Sequence, residues 1–152
     1  MSANHKVMAI ASGGGHWVQL CRLKLAFEGM DIFYVSVDPS AATDVPGHRY
    51  YTVRDASRRD RLKFIILIFQ LIRILLKERP SVVITTGSAP ALVAMTLAKV
   101  FLRSKTIWID SIANAERMSS SGQKARSVAD IWLTQWPHLS SPGGPDHWGA
   151  VL

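Results

Sequence analysis

Five consecutive residues, Ser12-Gly13-Gly14-Gly15-His16, bring together a hydroxyl, three unhindered backbone amides and an imidazole. Where such a run joins a strand to a helix, glycine lets backbone N–H groups approach a phosphate at the positive helix end. The run lacks the third glycine of a dinucleotide fingerprint and the Gly-Lys-Ser/Thr ending of a P-loop, so NAD and ATP are set aside. Two readings stay open: an anion cradle, or a tight turn with no ligand. His16, at the helix start, is either a general base or a residue that only hydrogen-bonds its neighbours.

A second turn, Thr85 to Pro90, offers Gly87 and Ser88. Ser88 is not flanked as in a Gly-x-Ser-x-Gly nucleophile elbow, so its expected part is to line a crevice or cap the following helix. Asp110 and Ser111 close a later apolar run. Asp110 is placed to orient a sugar hydroxyl or act as a base, or else to cap the next segment. The five histidines show no metal-ligand spacing, and neither a metal nor a cofactor is expected.

These residues need elements to hold them. Lys6–Ala11 reads as a buried strand, His16–Glu28 as a helix, Asp31–Val37 as a second strand, Asp38–Gly47 as a loop and Arg49–Val53 as a third strand. Leu62–Lys77 is a helix stopped before Pro80; Ser81–Thr86, Lys105–Asp110 and Ile131–Gln135 are further strands. Helices are expected at Ala91–Leu102 and Met118–Arg126. Strands separated by helices indicate a parallel sheet covered on both faces, a Rossmann-like doubly wound α/β fold. In the common strand order, strands one and four are neighbours at the switch point, and both glycine turns line one crevice.

At 152 residues, 48% hydrophobic, the chain is expected to form a single domain, residues 1–152. Its net charge of +7 is concentrated. From Arg54 to Arg79 eight basic residues face three acidic ones, which suits an anionic surface. One cysteine, Cys21, excludes a disulfide framework and favours a reducing compartment. Met1–Lys6 shows no leader-like pattern, so membrane contact must come from elsewhere.

The Leu62–Lys77 helix has polar residues on one narrow face, Lys63, Gln70, Arg73 and Lys77, and apolar surface around most of the rest. It is too short to span hydrocarbon, which takes about twenty residues, and is expected to lie in the bilayer interface or be buried by neighbouring loops. The membrane-docking set is Arg58, Arg59, Arg61, Lys63, Phe64, Ile68 and Arg73. A nucleic-acid-binding protein is the competing class for this charge. The cluster lacks interleaved aromatics, and no nucleic-acid partner is expected.

Taken in order, Gly13-Gly14-Gly15-His16, Thr86-Gly87-Ser88-Ala89-Pro90, Trp108–Ala113, Ser119–Gly122, Gln135-Trp136-Pro137 and Gly149 resemble the membrane-associated subunit of two-component, family 28-like glycosyltransferases. Relatives include the anchoring subunit of the dolichol-chitobiose N-acetylglucosaminyltransferase and bacterial exopolysaccharide and capsule counterparts. The resemblance implies the N-terminal half of a GT-B fold, with the UDP-sugar held by a donor-binding subunit of similar size on another chain. It implies a polyprenyl-diphosphate-linked sugar acceptor near Ser12, Gly13, Gly14, Gly15, Gly87, Ser88 and Ser111, with His16 and Asp110 as catalytic candidates. Trp136 and Pro137 become the expected partner interface, and the cytoplasmic face of the membrane the expected peripheral location. A non-catalytic scaffold that only recruits the partner is the alternative. No counterpart of the N-terminal transmembrane helix of the eukaryotic subunit is expected, and Asp110-Ser111 stands where that subunit has Glu-Ser.

Overall fold

The computed structural model describes residues 4–57 and 59–152; Arg58, one of the expected membrane-docking residues, lies outside them. Seven strands form one sheet: β1 (Lys6–Ile10), β2 (Asp31–Ser36), β3 (Arg49–Thr52), β4 (Val82–Thr85), β5 (Lys105–Ile109), β6 (Ile131–Thr134) and β7 (Asp146–His147). Their order is β3-β2-β1-β4-β5-β6-β7 with every pairing parallel. The helices are α1 (Gly15–Arg22), α2 (Arg61–Glu78), α3 (Ala89–Leu102) and α4 (Ser120–Ala125). This is the doubly wound Rossmann-like arrangement expected, and strands β1 and β4 are neighbours at the switch point.

Strand side chains alternate between two apolar layers, as period-two geometry requires. Met8, Ile10, Phe33, Val35, Val83 and Trp108 face α2, α3 and α4. Val7, Ala9, Ile32, Tyr34, Ile84, Ile109 and Leu133 face Trp17, Leu20 and Phe27. Both sheet faces are buried, which explains why the central strands read as nearly continuous apolar runs.

Local sequence accounts for the ends of the helices. Asp60 caps α2 by accepting from the Lys63 N–H at 3.1 Å, and that hydrogen bond holds its carboxyl below the usual aspartate range. Arg79, in left-handed geometry with φ 50°, ends α2 immediately before Pro80. Three expectations are corrected. The helix expected over His16–Glu28 stops at Arg22 and tightens into a 3-10 turn over Lys24–Phe27, which delivers Phe27 to the core and leaves Leu25 outside. The expected loop 38–47 contains a 3-10 turn, Pro39–Asp44, started by Asp38 accepting from Ser40 N. The seventh strand, only two residues long, has too little sequence pattern to be seen in advance.

Candidate functional site

The turn after β1 and the turn after β4 meet at the carboxyl edge of the sheet. Gly14 takes φ 66° and caps α1 without any side-chain hydrogen bond, so the first amides of α1 have no protein acceptor from the cap. Gly14 and Gly15 are exposed, and a Cβ built on either would meet nothing within 4 Å. Both residues therefore border open space.

His16 ties this turn to the second one. Its Nδ1 lies 3.1 Å from the Thr86 carbonyl oxygen, and Thr86 Oγ1 donates back to the His16 carbonyl oxygen at 2.6 Å. A carbonyl only accepts, so this contact assigns a proton to Nδ1, and in the neutral ring the lone pair then falls on Nε2. That is the tautomer a base needs. Gly87, with φ 123°, passes close to the Nδ1–Cε1 edge of the ring.

Ser88 also has φ 123°, a backbone geometry costing about 1–3 kcal/mol for a residue other than glycine. Its Oγ accepts from Ala91 N at 3.3 Å, so it caps α3, and the residue also lines the crevice. Ser12, Asp55, Asp60, Lys63 and Pro90 line that cleft with it, enclosing about 450 Å³. Gly13 packs near Asp38 on the other side of the turn. Sequence reasoning placed Ser12 and Ser88 in the diphosphate crevice and Lys63 in the membrane-docking set, and overlooked Asp55 and Asp60; the fold brings all five together.

Asp110 is only 2% exposed and is saturated by donors. Its Oδ1 accepts from Trp108 Nε1 at 3.1 Å and Ser119 Oγ at 2.6 Å, its Oδ2 from Ser119 N at 2.9 Å and Asn114 Nδ2 at 3.1 Å. Of the two roles open to it, this geometry favours the capping one: the carboxylate pins the 111–119 loop to the head of α4. Ser111 is likewise buried, accepting from Gln19 Nε2 at 3.0 Å. Gln19 Oε1 in turn accepts from Ile112 N and Gln135 Nε2, and Gln135 Nε2 reaches the Asp110 carbonyl oxygen. Gln19 and Gln135 form a polar hub that sequence reasoning did not assign: Gln135 entered only within the Gln135-Trp136-Pro137 resemblance, and for Gln19 a glutamine among the apolar positions of a short helix was the available signal. Trp136 Nε1 donates to the Ile112 carbonyl oxygen at 2.7 Å, leaving Trp136 half-buried and Pro137 exposed beside it.

On α2, Arg61, Lys63 and Arg73 are exposed, as is Arg59 just before it, with Lys63 paired to Asp60 at 3.4 Å. The apolar residues facing outward differ from the two expected. Phe64 packs against the core and Ile68 is half-buried. Helical phase instead turns out Leu62, Ile65, Phe69 and Leu76, which are 69, 50, 64 and 63% exposed. They fall 3, 4 and 7 residues apart, a single stripe, and Val100 and Phe101 on the adjoining α3 are exposed as well. Among the described residues no helix is long and apolar enough to cross a membrane, and no three His, Cys, Asp or Glu side chains come together as a metal cage.

Residues 44–151 match the family model for oligosaccharide biosynthesis protein Alg14 like. The chain belongs to that family. It is thereby associated with glycosyltransferases, and the family resemblance read from the sequence holds. Comparison with curated sequences gives no match. Among solved structures, MurG from Acinetobacter baumannii is similar with a TM-score of 0.73 at 15% identity, over 93% of this chain and 44% of that one. UDP-N-acetylglucosamine 2-epimerase from Rickettsia bellii gives 0.65 at 16% identity, over 90% and 40%. A glycosyltransferase from Rickettsia africae gives 0.59 at 14%, over 82% and 34%. At these identities the likeness establishes the fold, the Rossmann-like N-terminal half of GT-B enzymes. The chain spans less than half the length of each of these structures.

Proposed function

We propose that this family member is the acceptor-binding half of a two-chain UDP-sugar glycosyltransferase, acting as one domain at the cytoplasmic face of a membrane in polysaccharide or lipid-linked oligosaccharide synthesis. The reading rests foremost on one observation: His16 and Thr86 bond the two glycine turns together at the switch point, and His16 Nε2 is left free. A polyprenyl-diphosphate-linked sugar places its diphosphate at the amides of Gly13–Gly15, where the α1 dipole favours an anion. Ser12, Gly87 and Ser88 border the same crevice.

The donor-binding subunit supplies the opposite wall and the UDP-sugar, docking beside Trp136 and Pro137. The acceptor hydroxyl oxygen then attacks the anomeric carbon, the bond from that carbon to UDP breaks, and the hydroxyl proton passes to His16 Nε2. Ser111 and Asp110 hold the loop that borders this wall rather than touching the reacting atoms. The apolar stripe of α2 lies in the interface, flanked by Arg59, Arg61, Lys63 and Arg73.

The test is transfer from labelled UDP-sugar to a polyprenyl-diphosphate-linked acceptor, by this chain alone, by its partner alone and by both. Activity only in the mixture is expected, with His16→Ala lowering turnover about 100-fold or more. Full activity of this chain alone would refute the split enzyme. Less than a tenfold loss in His16→Ala would remove His16 as the base and favour the scaffold reading, which predicts that crevice substitutions leave turnover intact.

A further inference from the structure

A groove runs between α2 and the edge strand β3, away from the crevice and unused by the proposed transfer. It encloses about 260 Å³ and is lined by Tyr51, Thr52, Gln70, Arg73, Ile74 and Lys77. Its polar groups divide into those already engaged and those that are not. Tyr51 donates its phenol to Glu78 at 2.5 Å, and Gln70 Oε1 accepts from Arg54 N at 2.8 Å. Lys77 Nζ stands 5.5 Å from the centre of the Tyr51 ring.

Arg73 and Lys77, one helical turn apart, make no ion pair among the described residues. Glu78, next to Lys77 in sequence, is already bound by Lys6 at 3.3 Å and Arg49 at 3.0 Å. Two positive charges thus face one groove with no carboxylate committed to them. Their position around α2 matters as much as their charge. Phe69 lies one turn before Arg73 and Leu76 three residues after it, so the cations stand on the border between the groove and the exposed apolar stripe. With the stripe at acyl-chain level, long basic side chains on its border reach headgroup level.

We infer that this groove binds the phosphate of an anionic phospholipid, held by Arg73 and Lys77 against the wall that Tyr51 and Thr52 of β3 provide. The inference rests on the reading that α2 lies in the membrane interface. Continuity of groove and stripe on one helix favours a lipid, because a free anion would need the cations and make no use of the apolar border.

The experiment compares sedimentation with phosphatidylcholine vesicles, with and without phosphatidylglycerol, for the wild type, R73Q/K77Q and a charge-matched control, R103Q/K105Q, at exposed positions off the groove. The groove variant is expected to lose about 25-fold in binding to the anionic vesicles, about 5-fold per charge, with neutral-vesicle binding unchanged and the control like wild type. In parallel, short-chain phosphatidylglycerol below its micelle concentration is titrated into the wild type, with NMR shifts expected at Thr52 and Gln70. Wild-type behaviour of R73Q/K77Q on both vesicles, or equal losses in the control, overturns the site while leaving the interfacial helix standing. Shifts at Thr52 and Gln70 without any vesicle binding support the site and refute the interfacial helix. The same shifts with inorganic phosphate at equal affinity overturn the lipid assignment, and no shifts with either overturn the site.

Discussion

Gly87 lies so close to His16 that a Cβ on it would stand 2.9 Å from both Nδ1 and Cε1 of the imidazole. Glycine there is required twice, by φ 123° and by the ring beside it. Gly87→Ala is expected to displace the imidazole, bring turnover down toward the His16→Ala level and cost about 1–3 kcal/mol of stability from backbone strain. The two substitutions share one contact, so they should not add. Once the ring is gone the new methyl has nothing to displace, and Gly87→Ala in a His16→Ala background should leave the residual rate unchanged. Additive rate losses would separate Gly87 from His16.

Gly15 poses the opposite case. Its φ is not positive and a Cβ would reach open space, so nothing within the chain demands glycine. Gly15→Ala should hold or raise the melting temperature, since alanine restricts the unfolded chain by about 0.4–1 kcal/mol. If a diphosphate approaches the Gly13–Gly15 amides, the methyl group stands in its way. The acceptor KM should then rise about tenfold, the equivalent of one charge-assisted hydrogen bond at ~1.5 kcal/mol. An unchanged acceptor KM would place the anion elsewhere.

The difference between these glycines marks how far the sequence could be read. Apolar runs punctuated by Gly13–Gly15, Gly87 and Pro80 were enough for strand order and for bringing the two turns together, because a parallel sheet leaves few ways to connect them. The Thr86–His16 pairing was not legible, since it depends on side-chain direction across two loops far apart in sequence. Nor was the fate of Asp110. A carboxylate at a strand end reads the same whether it faces a cleft or four donors, and only the Asn114 and Ser119 positions in the folded loop decide it. On α2 the composition was clear but the phase was not: Phe64 and Phe69 differ by 140° around the helix, and one packs inward while the other faces out.

Asp110→Asn should act on stability before chemistry. Either orientation of the amide points an N–H at a donor that the carboxylate now accepts, leaving buried polar groups unmatched at about 1–3 kcal/mol. The midpoint of urea denaturation should fall accordingly. Turnover per folded molecule should change less than tenfold, well short of the loss expected for a base. A 100-fold loss in a fully folded variant would return Asp110 to the reacting atoms.

The stripe on α2 makes a separate prediction about membranes. Leu62→Ser/Phe69→Ser removes two side chains that are mostly in solvent, so folding should be unaffected within about 0.5 kcal/mol. Binding to neutral vesicles should fall about 30-fold or more, at ~1 kcal/mol or more for each large apolar group withdrawn from the interface. Phe64→Ser is the contrasting variant. It should destabilise the fold, because that ring packs on the core. Vesicle binding that survives the double substitution would leave the stripe free for another surface.

Glu78 connects α2 to strands β1 and β3 and gives a pH dependence with a definite sign. Its side chain is 5% exposed and receives Lys6 from β1 and Arg49 and Tyr51 from β3. Burial by itself would raise its pKa; the Tyr51 and Lys6 hydrogen bonds and the Arg49 charge outweigh that and hold the carboxyl below the usual glutamate range. A group depressed in the folded state stabilises the protein above its unfolded pKa, and that stability is lost as pH falls through the folded value. Glu78→Gln should therefore be less stable than wild type by about 1–3 kcal/mol at neutral pH. The gap should narrow as pH drops below the ordinary glutamate value of about 4.3, because wild type loses a contribution that the variant never had. Denaturant titrations of both proteins from neutral to acid pH read this directly. A gap that stays constant across the range would mean that Glu78 stabilises the fold by packing, independent of its charge.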